Sequence, residues 1–360
     1  MSESYQTQLE NKKQLFTEKL APFYTSSIDV FASPEQHYRM RAEFRVWHDG
    51  DDLYYVMFHP GTRDKYRVDQ FPAAGELINS LMPEILDYVK NREILRNRLF
   101  QVDFLTTTSN QAVISLLYHR QLDETWQNEV LGLKGHLSQF CAVNIIGRAR
   151  KQKICLDTDA VIEKLSVAGK DYLFEQVENS FTQPNAAINV KMLEWAQRET
   201  SGLEGDLLEL YCGNGNFSLP LASNFKRVLG TEISRTSVKS AQTNIALNKI
   251  ENVKIARMSA EDFALAIAGK LDSRRADDLE LETYDFSTVL VDPPRAGLDS
   301  DALEQIQPYQ HIIYISCNPE TLVENLSKLC QTHHVVAAAL FDQFPFTHHM
   351  ESGVHLVRKD

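Results

Sequence analysis

The chain of 360 residues is 43% hydrophobic and 24% charged, an ordinary globular composition that excludes collagen-like, mucin-like and disordered classes. At roughly 150 residues per domain the length implies about two domains with ample core, and its apolar stretches, such as Val335–Phe341, are far shorter than the ~20 residues of a membrane span. The net charge of −12, divided as −4 in residues 1–180 and −8 in 181–360, excludes a bulk polyanion binder; any nucleic acid must be held by local clusters and shape.

The opening MSESYQTQLENKK is polar and unlike a signal segment, so cytoplasmic residence and no membrane partner are expected. Tyr5–Leu20 carries Leu9, Leu15, Phe16 and Leu20 at helical spacing and stops near Pro22, as a packing helix does. From Ala42 to Val68 the period becomes that of strands, broken at Asp49-Gly50-Asp51 and Pro60-Gly61-Thr62, which predicts a β-meander. A helix over Glu76–Lys90 follows, then a hairpin turning at Ser109-Asn110, then the strand-like runs NIIGRAR, KICLD and YLFEQV. Residues 1–180 therefore read as an α+β domain built on an antiparallel sheet.

After Ser180 strands alternate with helices: DLLELY, a glycine turn, a helix from about Phe217, RVLGTE, a helix over Ser234–Asn248, then NVKIARM, STVLVDPP and HIIYISCNP. This rhythm predicts a doubly wound, Rossmann-like α/β domain over 181–360, with VVAAALFDQF and GVHLVR pairing as an antiparallel edge. The five cysteines, Cys141, Cys155, Cys212, Cys317 and Cys330, form no C-x-x-C pair, which argues against a disulfide framework or a metal cluster and for a reducing compartment.

Four strand ends carry chemistry. Cys212-Gly213-Asn214-Gly215-Asn216 lets the backbone approach a ligand at the carboxyl end of a first strand. Glu232, 19 residues past Gly213, ends the second strand, where a carboxylate can accept from both ribose hydroxyls of a nucleoside cofactor. Because Ser218 stands where a dinucleotide loop has its third glycine, S-adenosylmethionine, which has a ribose but no pyrophosphate, fits best; a nicotinamide dinucleotide and a merely structural turn are the alternatives.

The fourth strand stops at Asp292-Pro293-Pro294-Arg295, and Arg295 occupies the position where enzymes that methylate exocyclic amines usually place an aromatic residue. The fifth stops at Ser316-Cys317-Asn318-Pro319 and brings a thiol to the same edge. A thiolate can add to C6 of a pyrimidine and make C5 nucleophilic; the hydrogen left on C5 then needs a base. Glu351, His348 and His349, just before the last strand, all qualify chemically, and the His-His pair lacks a third ligand at metal spacing, so no metal is expected.

LELYCGNGNFS, VDPPR, SCNPETL and FPFTHHMESGV together resemble the RNA uracil-5-methyltransferase family, and HYRMRAEFRVWHDGDDLYY and VENSFTQPN extend the resemblance over almost the whole chain. The resemblance implies Cys317 as nucleophile, Glu351 as the base for the C5 proton, and Gln183, Tyr211, Gly213, Asn216, Glu232 and Asp292 as lining an S-adenosylmethionine pocket. Ribosomal-RNA members carry an added barrel and an iron–sulfur cluster that this sequence lacks, so the implied partner is the T arm of tRNA, with the tRNA-like loop of tmRNA as a second substrate. No protein partner is evident.

For RNA contact the sequence offers the clusters Arg39/Arg41/Arg45, Lys90/Arg92/Arg96/Arg98 and Arg148/Arg150/Lys151/Lys153, with Arg45, Phe100 and Phe104 as stacking candidates whose alternative is sheet core. Two other activities compete with uridine methylation: cytosine-5 methylation, which should show a Pro-Cys at the fourth strand's end, and an RNA-folding chaperone with a dispensable catalytic core.

Overall fold

The computed structural model of the chain describes residues 4–59, 61–271 and 278–360; Pro60 of the expected turn lies outside the described residues. The strands of the first part are β1 (Asp29–Phe31), β2 (Arg41–Asp49), β3 (Asp52–Phe58), β4 (Lys65–Arg67), β5 (Leu99–Thr106), β6 (Gln111–Tyr118), β7 (Ala142–Ala149) and β8 (Gln152–Cys155). A ribbon of β9 (Ala160–Val167) and β10 (Lys170–Val177) follows. Then come β11 (Asp206–Leu210), β12 (Val228–Thr231), β13 (Val253–Ala256), β14 (Phe286–Val291), β15 (His311–Ser316), β16 (His333–Phe341) and β17 (Glu351–Arg358).

The chain forms two compact units. One contains Pro34–Lys164 and Glu175–Ala186; the other contains the residues up to Ser33, Leu165–Phe174 and Ala187–Asp360. The division is therefore not a single cut at 180, and the N-terminal helix Tyr5–Leu20 falls with the second unit. Its buried face, Phe16 and Leu20, joins the core around Leu208, Leu210, Val289 and Tyr314, and β1 pairs with β16. An amphipathic stripe specifies that a helix packs, not what it packs on.

The first unit is a seven-stranded sheet, β4-β3-β2-β5-β6-β7-β8, whose covered face carries Phe44, Tyr55, Phe104 and Ile114 in one core with Trp126 of the helix Glu124–Leu137. It is mixed rather than antiparallel throughout: β6 and β7 are parallel, with the helix Glu124–Leu137 between them in sequence, because a parallel pair needs a long crossover.

The second unit is the doubly wound sheet, ordered β1-β16-β17-β15-β14-β11-β12-β13. Strands β13, β12, β11, β14 and β15 are parallel, and the order reverses between β11 and β14. The closing strands do pair antiparallel, but not as an edge: β17 lies between β15 and β16, with β1 beyond. Two interior neighbours suit the fully buried run Glu351–Leu356. Among the described residues no helix is long and apolar enough to cross a membrane.

The β17 backbone passes under the indole of Trp195: a Cβ at Gly353 would come within 2.7 Å of its Cζ3 and 3.2 Å of the Phe341 ring. Both rings are fully buried and cannot yield cheaply. Gly353→Ala is expected to destabilise the protein by about 1–3 kcal/mol in urea unfolding; an unchanged midpoint would show that the indole has room to move.

Candidate active site at the carboxyl edge of the parallel sheet

Strand register brings the candidate residues to one edge. Leu210 of β11 lies opposite Thr231 of β12 and Val291 of β14, so the next residues, Tyr211, Glu232 and Asp292, leave the sheet in one row. This is where the strand order reverses, the position at which open α/β sheets bind ligands. Beyond Leu210 the chain turns sharply, with positive φ at Tyr211 (62°), Gly213 (56°) and Gly215 (82°). A Cβ at Gly213 would meet nothing within 4 Å, so the turn borders open space.

Glu232 is anchored by the loop it faces. One carboxylate oxygen accepts from Gly213 N–H at 3.0 Å and the other from Ser234 N–H at 2.7 Å. Each oxygen keeps an acceptor position for a hydroxyl of a ribose diol. Asn216 is fixed by a reciprocal amide pair with Asn189, at 2.8 and 3.0 Å. Beneath the loop, Glu209 is buried and accepts from the Ser218 hydroxyl. Burial pushes its carboxyl up to about 8, with Asp292 and Glu232 adding repulsion against the Ser218 hydrogen bond. A carboxylate with acceptors left for a diol, beside carboxyls whose charged forms a cation would stabilise, fits the ribose and sulfonium of S-adenosylmethionine better than a pyrophosphate. Glu209 was not among the expected residues; its signal is a charged residue inside the apolar run Leu207–Leu210.

The candidate nucleophile and base come from neighbouring antiparallel strands. Ser316 of β15 lies opposite Ser352 of β17, and the Ser352 hydroxyl donates to the Ser316 carbonyl at 3.2 Å. Cys317 and Glu351 are the next opposed positions. Cys317 is partly exposed, whereas Glu351 is buried. Burial pushes the Cys317 thiol up to about 11, Glu351 and Asp292 raise it further, and Arg295 opposes them. Burial also holds Glu351 well above the usual carboxylate range, with Asp292 repelling its charged form, and desolvation lifts the half-buried Asp292 to about 7. Of the other candidate bases, His348 is exposed, and His349 meets Arg295 Nη2 at 2.7 Å through Nδ1.

The remaining expected residues belong to the other unit. Gln183 lies in its segment Glu175–Ala186 and is half-buried. Phe100 lies on the open sheet face, stacked on His119 with centroids 3.8 Å apart, and the Arg45 guanidinium is 5.3 Å from its centroid. These rings border a cavity of about 620 Å³ that Arg120, Arg148 and Arg150 also line. Phe104, the other stacking candidate, is core. Much of the basic clusters is internal structure: Arg96 donates to the carbonyls of Gly50, Asp51 and Asp52, Lys90 pairs with Asp52, and Arg148 pairs with Glu178. Among the described residues no group of three metal-ligating side chains is gathered.

The family model described as tRNA (Uracil-5-)-methyltransferase matches residues 4–359. The chain is 59% identical over 358 residues to a tRNA/tmRNA (uracil-C(5))-methyltransferase of Vibrio vulnificus (strain YJ016), covering 99% of this chain and 97% of the relative. It is 56% identical over 359 residues to that of Shigella flexneri serotype 5b, covering 99% and 98%. Its fold is similar to the crystal structure of the Pyrococcus abyssi tRNA (uracil-54, C5)-methyltransferase in complex with S-adenosyl-L-homocysteine, with TM-score 0.72 and 19% identity over 98% of this chain and 84% of that one.

Two pH effects follow. A carboxyl whose folded pKa is raised stabilises the fold below its unfolded value and loses that contribution as pH rises through the folded one. Glu209→Gln should therefore match the wild type near pH 5 and exceed it near pH 8.5, by up to a few kcal/mol in urea unfolding; an equal difference at both would mean Glu209 is ionised throughout. For the thiol, peptide-resolved iodoacetamide labelling of Cys317 should keep rising with pH toward 11, and Asp292→Asn should move the profile to lower pH. A wild-type midpoint near an ordinary thiol's ~8.5 would contradict it.

Proposed function

Because the chain belongs to the tRNA (uracil-5-)-methyltransferase family, we propose that it methylates C5 of the T-loop uridine at position 54 of tRNA, and the corresponding loop of tmRNA, using S-adenosylmethionine. The observation that carries this reading is the β15/β17 register, which sets Cys317 and Glu351 at opposed positions beside Asp292. When bound, S-adenosylmethionine supplies an electrophilic methyl group on a sulfonium. Glu232 would accept from the ribose hydroxyls, Tyr211, Gly213 and Asn216 would line the pocket, and Asp292 would lie toward the positive charge. Gln183 is assigned to the same cofactor on family resemblance alone.

Cys317 loses its proton to solvent and forms an S–C6 bond, which pushes the C5=C6 electron pair toward C5 and makes that carbon the nucleophile for the methyl group, whose bond to sulfur would break to leave a neutral thioether. Glu351 then removes the C5 proton, the C5=C6 bond re-forms, and the S–C6 bond breaks to release the thiolate. Both residues act in their charged forms, the thiolate and the carboxylate, which burial disfavours and positive charge held beside Asp292 would favour. The strand end Asp292-Pro293-Pro294-Arg295 supplies no second cysteine, which favours uridine over cytosine.

RNA recognition is assigned to the unit of Pro34–Lys164 and Glu175–Ala186. On its open face the Arg45–Phe100–His119 stack offers planes for unpaired bases, which is how single-stranded RNA loops are read.

Nucleoside mass spectrometry of tRNA incubated with the protein and labelled S-adenosylmethionine should give 5-methyluridine at position 54, and label at cytidine would overturn the assignment. Cys317→Ala should abolish transfer; methylation at the wild-type rate would remove Cys317 as the nucleophile. Glu351→Gln should lower turnover by about 10²–10⁴-fold and leave a covalent protein–RNA band on a denaturing gel, because addition and methyl transfer precede the blocked step. The lack of that band would remove Glu351 as the base.

A further inference from the structure

The N-terminal helix Tyr5–Leu20 reaches chain segments next to both members of the candidate pair. Lys12 is buried, and its Nζ donates to Asp342 Oδ1 at 2.7 Å and to the Phe344 carbonyl at 3.0 Å. One turn earlier, the Gln8 amide accepts from Phe346 N–H at 2.5 Å and donates to the Thr347 carbonyl at 3.4 Å. The Tyr5 ring lies 5.7 Å from that of Phe346. At the helix's other end, Lys19 pairs with Glu320 at 2.7 Å, in the first turn of the helix that follows Cys317.

The segment so held, Asp342–Met350, is irregular chain between β16 and β17, and it ends on Glu351. Phe346 has φ of +59°, uncommon for a bulky residue and sustained only where its surroundings over-determine it. Burying an ammonium and a carboxylate together brings little net stability, and an apolar pair of similar volume often does as well. A buried pair that also ties a loop carbonyl is therefore better explained by placement than by stability.

We propose that the N-terminal helix is a positioning element for catalysis, in which Lys12 and Gln8 hold Asp342–Met350 so that the Glu351 carboxyl meets the C5 proton of the substrate bound to Cys317. The inference rests on the assignment of Glu351 as the base. Lys12 and Gln8 act through the loop and touch no reacting atom.

The test compares Gln8→Ala, Lys12→Met, Lys12→Arg and the double replacement Lys12→Met with Asp342→Leu, with Glu351→Gln as the reference. The double replacement removes the loop anchor without leaving a lone buried charge, so it keeps a folded protein if Lys12→Met alone does not. The expected result is a fall in kcat, of order 10²-fold for a loop displaced by about 1 Å, with KM for S-adenosylmethionine within about twofold. Gln8→Ala and the double replacement should both accumulate the covalent protein–RNA band seen with Glu351→Gln, and neither should lower kcat further when combined with it. Lys12→Arg should restore part of the rate.

A band with Glu351→Gln but none with the helix variants, or losses that multiply with Glu351→Gln, would overturn the positioning role and leave the base assignment standing. No band with Glu351→Gln itself would overturn that assignment and the positioning role with it. Full kcat in the double replacement would show that the pair serves the fold alone.

Discussion

The candidate chemistry depends on the antiparallel pairing of β15 with β17. A parallel sheet delivers every strand's carboxyl end to one edge, and Tyr211, Glu232, Asp292 and Cys317 arrive there that way. Glu351 comes from the opposite direction, because β17 runs backward and begins where β15 ends. Strand pairing has a period of two, so a slip of one residue would turn Glu351 to the other face of the sheet. The tight approach of Gly353 to Trp195 and Phe341 helps exclude such a slip.

Carboxyls collected at a single buried edge carry an electrostatic consequence. Asp292 raises the pKa of both Glu209 and Glu351, and Asp292 and Glu351 together oppose thiolate formation at Cys317. Such an edge is poorly set up to react with a base in the absence of a cation, and a sulfonium is the cation that the reaction needs. The arrangement that slows the resting thiol is the one that answers most strongly to cofactor binding, since the same desolvation strengthens every charge interaction there.

Much of this was legible in the sequence where side-chain chemistry punctuates a strand. Glycines mark the turn after Leu210, prolines mark the stop after Asp292, and Asn318-Pro319 caps the helix after Cys317. The helix Glu76–Lys90 has the bounds that its apolar spacing predicts. Long-range pairing was not legible. Apolar runs report burial without strand order, so β17 read as an edge, and the parallel β6/β7 pair read as antiparallel. Phe100 and Phe104 share a parity and would share a face in a regular strand, but a bulge at Leu99/Gln101 parts them, leaving Phe104 in the core and Phe100 outside. Nor can a basic cluster declare whether its charges point outward. The Arg96 guanidinium satisfies loop carbonyls, as a structural arginine does.

The charge of −12 takes on a different meaning once side chains are placed. It counts Glu209, Asp292 and Glu351 as ionised, whereas burial favours their neutral forms, so the edge that receives a uracil is less negative than composition implies. Lys90, Arg148 and Lys153 are engaged with Asp52, Glu178 and Asp159, so these three add little free positive charge for phosphates. On the proposed function, counterion release would then supply a small share of the affinity. Recognition must come from stacking and from the energy of unpairing a base, terms that depend on how a loop is folded rather than on how many phosphates it carries. The T loop of the proposed function, folded and with an extrudable uridine, would meet those terms, whereas a long duplex would not. The acidity of the chain thus acts as a filter for substrate shape.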